Sequence, residues 1–392
     1  MSNSYTDDLA HWPAQPSGRA ALDPENLPGA LVIVAKAISF DTDVRDEPIP
    51  SDALLAAPRN ESLDGLRGVA VLLVLFYHHH YLNAGWMGVD LFFVPSGYLI
   101  TSILRRTRSD EFFWRGFWVK RVTRILPPFL LLLLATSVLG FGLSWLQALA
   151  YLLSFGDVLA YVRPTFEPLR PLWSLAIEEH FYIFWPIAVR FLPRRSLVFI
   201  LLSLVALEPI IRAIASMFTH DWQLIYFLTP FRLDGLALGS LLALGLESSS
   251  DAYLIRKWSG WATAAFITIW LSLRIVLGHA FTRDEPTPAY NGACYSLVSL
   301  AACSLIAYVV SHPRSFCSRV FAWKPLVFTG TISYGLYLYQ VLIRETLMRT
   351  WPISGRTALF IDAPIIFLLA WISFRFYEKP IIHWGKKKAA GV

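Results

Sequence analysis

Residues 61–104 read ESLDGLRGVAVLLVLFYHHHYLNAGWMGVDLFFVPSGYLITSIL. A polar start at Ser62 and Asp64, an apolar run over 66–82, a short turn at 83–86 and a second apolar run to Leu104 predict a helical hairpin in a bilayer. The first helix carries Arg67 and His78. Ionisable groups at membrane depth cost a few kcal/mol or more unless they face protein or a wet cavity. Eleven residues make close to three turns and about 16 Å of rise, so both side chains point to one face. An interfacial arginine and a histidine bonded to a neighbouring helix are the alternatives. The pair on one face points to function.

The rest of the chain agrees with a membrane setting. Of 392 residues, 55% are hydrophobic, 15% aromatic and only 16% charged, which excludes a soluble globular domain and predicts an all-α, polytopic membrane helical bundle. The net charge of +6 would suggest nucleic acid in a soluble protein. Here the basic residues lie between apolar runs, so the expected partner is membrane lipid and not nucleic acid. Cys294, Cys303 and Cys317 have neither metal spacing nor a disulfide framework and read as reduced packing residues.

Prolines 13, 16, 24, 28, 48, 50 and 58 interrupt residues 1–60, which are expected to form a disordered cytoplasmic tail with a short surface helix near 30–40. The first residues are polar and acidic, so no cleavable leader is expected, and the apolar stretch 31–38 is too short to cross. About ten spans are expected within a membrane domain covering 61–380, at about 66–82, 87–104, 125–143, 173–192, 197–217, 231–247, 259–279, 292–312, 326–346 and 358–377. Basic residues gather in alternate connections, among them Arg105, Arg106, Arg194, Arg195, Arg256 and Lys257, and Lys386–Lys388 fall in a basic tail at 381–392. Both termini are therefore expected to be cytoplasmic, with 145–161 a re-entrant or surface segment. No appended soluble domain is visible after Lys388.

Several stretches carry chemistry. WVKRVTRILPP, 118–128, places Lys120, Arg121 and Arg124 on one side of a helical turn, where cations meet phosphates, although loop topology alone also explains basic residues. WSLAIEEHFYIFWP, 173–186, puts Glu178, Glu179 and His180 in a hydrophobic helix. Neighbouring residues diverge by about 100°, so one glutamate can charge an imidazole while the other holds backbone or a substrate hydroxyl. A structural ion pair with Arg67 or Arg232 is the competing account. His78, His79 and His80 fan out too widely for one ion, and no metal is expected.

Ser96 in FFVPSGYLI is not the G-x-S-x-G elbow of a hydrolase, and a helix break at Pro95 and Gly97 would free backbone groups to line a cavity. FRLDGLALG, 231–239, and TISYGLYLYQ, 331–340, add Arg232, Asp234, Ser333, Tyr334 and Gln340, all consistent with interhelical hydrogen bonding. Neither a P-loop nor a Rossmann fingerprint occurs, so a phosphate-bearing donor would be held by arginines.

In order, Arg67 and His78 with ten residues between them, GVDLFFVPSGYLI, KRVTRILPP, WSLAIEEHFYIFWP, FRLDGLALG, TISYGLYLY and YEKP resemble the motifs of the acyltransferase-3 family of integral membrane acyltransferases. The resemblance covers about 61–380. It implies O-acyl transfer from acetyl-CoA or another acyl-CoA to a hydroxyl of a glycan or lipid-linked glycan, such as exopolysaccharide or O-antigen, in the bacterial inner membrane. By the same resemblance His78 is the essential histidine and Arg67 its partner, and Arg121 and Arg124 hold the CoA phosphates. Gln340 stands where the family often has His, and His180 where it usually has Gln.

The expected mechanism makes His78 a general base tuned by Glu178 or Glu179. Arg67, Lys120, Arg121 and Arg124 bind the donor, and Ser96, Gly97, Arg232, Ser333 and Tyr334 are candidates for substrate or oxyanion contacts. The rival classes are a proton-coupled transporter or glycolipid flippase, since buried Arg, His and Glu also relay protons, and a non-catalytic sensor using the same pocket.

Overall fold

A computed structural model describes residues 60–163, 166–219, 221–281, 287–351 and 355–389. The expected N-terminal tail and its helix near 30–40 lie outside them. Helix α1 (Glu61–His78) opens on Asn60, whose side chain accepts from the N–H groups of Ser62 and Leu63, with Glu61 and Asp64 in the first turn. Both features satisfy or complement orphan N–H donors. It ends where His80 turns left-handed, φ 58°. After a tight turn at Asn83–Trp86, α2 (Met87–Arg106) runs back and finishes on Arg105 and Arg106, cations at a helix C-terminus. Pro95 lies inside α2 without interrupting it, so the expected break at Pro95 and Gly97 is absent.

Helix α3 (Phe113–Val138) starts well before the span expected at 125 and takes in the arginine segment and both Pro127 and Pro128. Residues 145–161 form two short helices, α4 (Trp145–Leu152) and α5 (Gly156–Val162), joined through left-handed Ser154, and neither is long enough to cross a bilayer. Then come α6 (Leu172–Phe191), α7 (Arg194–Phe218), α8 (Trp222–Phe227), α9 (Asp234–Gly245), α10 (Ser249–Leu277), α11 (Pro288–Ser311) and α12 (Phe316–Phe321). Helices α13 (Lys324–Thr331) and α14 (Ser333–Thr350) are bent by 69° against each other. After α15 (Leu359–Ile372) and a π-helical turn (Ser373–Glu378), the chain continues as α16 (Lys379–Ala389), so the basic segment from 381 is helical and packs on α3, Gly385 lying against Thr123. No strand occurs among the described residues.

Among the described residues, six helical stretches are long and apolar enough to cross a membrane, seven if the bent α13–α14 pair is one span. That is fewer than the ten expected. Helices α1 and α6 have the length, 18 and 20 residues, but are made too polar by Glu61, Asp64 and Arg67 and by Glu178, Glu179 and His180. Their polarity is tolerable because Arg67, Glu178 and Glu179 face cavities and the exposed Glu61 stands at the helix end. Outward-facing positions are apolar in turn: Phe218, Ile275 and Val276 are all more than three-quarters exposed.

Close helix crossings position the site. A Cβ on Gly97 would collide with the Leu236 carbonyl of α9, and one on Gly239 with the Val94 carbonyl of α2, so the two helices meet backbone to backbone. Gly68 and Gly330 do the same for α1 and α13. Leu63, Leu66, Val94, Leu242, Ile306 and Val309 fill the core between these elements. One end of the bundle gathers the start of α1, where Ser62 donates to the Ser318 carbonyl, together with Arg105–Glu247 and Arg194–Asp251 ion pairs. His78 and the 83–86 turn lie at the other.

Candidate functional site

Among the described residues, three of the cavities follow one another through the bundle. The largest, about 880 Å³, surrounds the end of α1 and includes His78, His80, Trp86, Trp173 and Tyr226 in its wall. A second, about 70 Å³, is lined by Arg67, Ser96, Glu178, Ser333, Tyr334 and Tyr337 among others. Val89 and Tyr337 line both, so they form the septum between the two. The third, about 170 Å³, holds Arg121, Ser154, Glu179 and Tyr182 in an otherwise apolar wall. It joins the second across one hydrogen bond, from the Tyr182 hydroxyl to Glu178 at 2.9 Å.

Arg67 and His78 share a face of α1 as expected, but they line adjoining cavities and not one. The glutamates also part company. Glu178 accepts from the hydroxyls of Ser96 at 2.8 Å and Tyr182, while Glu179 accepts from Ser154 at 2.8 Å. Neither is bonded to His78, which sits edge-on to the Tyr77 ring at 5.5 Å. The expectation that one of them directly charges the imidazole is not met, because successive residues of α6 turn Glu178 into the second cavity and Glu179 into the third. Glu178 instead lies within electrostatic range of Arg67 and Arg121.

The remaining expected residues divide the same way. Ser333 and Tyr334 reach the second cavity, with their hydroxyls donating to the Gly330 and Ile125 carbonyls. Arg121 places its guanidinium 4.8 Å from the Tyr182 ring centre, and Arg124 is exposed but close enough to act on Arg67. Lys120 is exposed and lines none of the three. Gly97 is taken up by the α2–α9 crossing. Arg232 is 1% exposed, paired with Asp90 at 2.9 Å and surrounded by the rings of Tyr295, Tyr226 and Trp173. It touches no cavity, but two of those rings line the largest one. His180 bonds Thr229, which donates to Asp157.

The family profile described as an acyltransferase domain matches residues 60–375. The chain belongs to the acyltransferase-3 family. The O-acetyltransferase OatA of Staphylococcus aureus strain NCTC 8325 is 32% identical over 362 residues, 84% of this chain and 58% of that protein. YrhL of Bacillus subtilis strain 168, provisionally named a peptidoglycan O-acetyltransferase, is 33% identical over 355 residues, 81% of this chain and 54% of that one. The chain thus spans a little over half the length of the curated relatives it matches. No solved structure matches it.

Within this acyltransferase-3 domain, sequence reasoning passed over Tyr182, Ser154 and Tyr337. Tyr182 and Tyr337 are polar groups on apolar helices and Ser154 lies in the link between α4 and α5, and the meaning of each depends on which residue of another element it meets. Tyr337 is held by the Pro171 carbonyl at 3.0 Å and the Ser174 hydroxyl at 2.7 Å. Glu208 and Arg212, the buried partners of Asp234, were also passed over. Arg212 bonds both carboxylates, at 3.3 and 2.8 Å. A charged i, i+4 pair in an apolar run was the available signal for Glu208 and Arg212.

Proposed function

We propose that this domain transfers an acyl group, in the first instance acetyl, from acyl-CoA to a hydroxyl of an extracytoplasmic glycan. The observation that carries the reading is the cavity series with arginines at one end, His78 at the other, and Arg67, Ser96 and Glu178 between. Arg121, Arg124 and Arg67 supply cations for the donor's phosphates and lie toward the end of the bundle that gathers basic residues, the cytoplasmic side by the positive-inside rule. The donor's acyl arm reaches through the second cavity to the septum at Val89 and Tyr337.

On the far side of that septum His78 faces the acceptor. Its imidazole takes the proton of the acceptor hydroxyl, the oxygen attacks the thioester carbonyl, the carbon–sulfur bond breaks, and the departing thiolate takes up a proton. The Ser96 and Tyr334 hydroxyls give their protons to Glu178 and the Ile125 carbonyl, so in that cavity the Arg67 guanidinium is left to stabilise the developing oxyanion. The relatives named as O-acetyltransferases support acetyl as the group moved. Labelled acetyl-CoA supplied to membranes containing the wild-type protein should label a glycan fraction, and His78→Ala at equal expression should abolish the labelling. Undiminished labelling by His78→Ala would remove the histidine from this role.

A further inference from the structure

The large cavity is built for something other than an acyl chain. Trp86, Trp173, Trp222 and Tyr226 form a wall of mutually packed rings, with centroids 4.7 Å apart for Trp173–Tyr226 and 5.8 Å for Trp222–Tyr226. Asn83, Gln223 and His78 line the same cavity. A hydrocarbon occupant offers the side-chain amides of Asn83 and Gln223 no hydrogen bond. A pyranose, with an apolar face for an aromatic ring and hydroxyls for the amides, satisfies both.

The charges lining the cavity narrow the choice further. Arg170 is occupied by Glu167 at 2.6 Å. Arg274 donates to the Gly278 carbonyl at 2.9 Å and has no carboxylate partner among the described residues. Arg344 makes no hydrogen bond or ion pair to a described residue, and its Nε is buried without an acceptor. Glu345, within electrostatic range of Arg344, is the one other carboxylate among the described residues of the wall, so two guanidiniums outnumber it. Arg344, Val341 and Tyr337 share a face of α14, which places that guanidinium about 10 Å along the helix from the septum.

We propose that this cavity is the acceptor site and selects a glycan bearing carboxylates, held by Arg274 and Arg344 while its hydroxyl lies at His78. This rests on the acyl-transfer reading for the hydroxyl, but its recognition chemistry is separate from the transfer. A guanidinium fork matches a carboxylate's two oxygens, and a neutral sugar leaves it unsatisfied.

The test is a binding titration by calorimetry on the full chain in detergent, using trigalacturonic acid and the same trisaccharide with its carboxyls reduced to alcohols. The acidic sugar should bind at least about tenfold more tightly. That preference should shrink as salt is raised, and it should vanish in an Arg274→Gln, Arg344→Gln variant that still binds acetyl-CoA and the neutral sugar. Equal binding of the two sugars by the wild-type protein would overturn the selectivity while leaving acyl transfer intact. Absence of binding by both, in protein that still labels a glycan from acetyl-CoA, would overturn the assignment of the cavity.

Discussion

His78 and His79 leave the end of α1 in different directions, and their substitutions should fail differently. His79 is 1% exposed, with Nδ1 against the Leu75 carbonyl and Nε2 against Asp362, both at 2.9 Å. Because a carbonyl only accepts, Nδ1 carries a proton, and the other nitrogen shares one with the carboxylate. His79→Ala leaves Asp362 buried without its partner and should cost about 3–5 kcal/mol of stability, read as a drop in Tm in detergent. His78→Ala should leave Tm nearly unchanged and reduce acetyl transfer by about 10² to 10⁴. Tyr182→Phe removes one of two hydroxyls on Glu178 without opening space. It should lower turnover by about tenfold at unchanged Tm, the scale of one hydrogen bond to a charged group.

At the scale of elements, the bundle depends on crossings that admit no side chain. Gly239→Val would drive a branched side chain into the Val94 carbonyl of α2, and overpacking of this kind costs about 1–3 kcal/mol. The expected outcome is a lower Tm with acetyl-CoA binding retained in the folded fraction. Asp90 and Arg232 tie α2 to the start of α9, so Asp90→Asn should destabilise by about 3–5 kcal/mol, and Asp90→Asn with Arg232→Met should recover much of the loss. The helices themselves were legible: apolar runs, Asn60 before Glu61 and glycines at turns mark their positions. Breaks were less so. Proline at 95, 127 and 128 reads as a kink or a stop, yet α2 and α3 run through all three, because neighbouring helices compensate for a missing backbone bond at membrane depth.

For the whole molecule, the order of the cavities matters more than any one of them. That Arg67 and His78 face one way was readable from their spacing. The septum of Val89 and Tyr337 between them was not, since it is made by α2 and α14, helices far apart in sequence whose meeting only the fold decides. The same holds for Glu178 and Glu179, adjacent in sequence and placed in different cavities. On the proposed acyl-transfer reading, the arrangement divides the reaction between two faces: donor phosphates at the arginine end, acceptor hydroxyl at the His78 end. Sealed membrane vesicles from expressing cells, given labelled acetyl-CoA on the outside only, test this directly. Inverted vesicles, which present the cytoplasmic face, should incorporate label into glycan, and right-side-out vesicles should not. Equal incorporation by both orientations, or incorporation by right-side-out vesicles alone, would contradict the account.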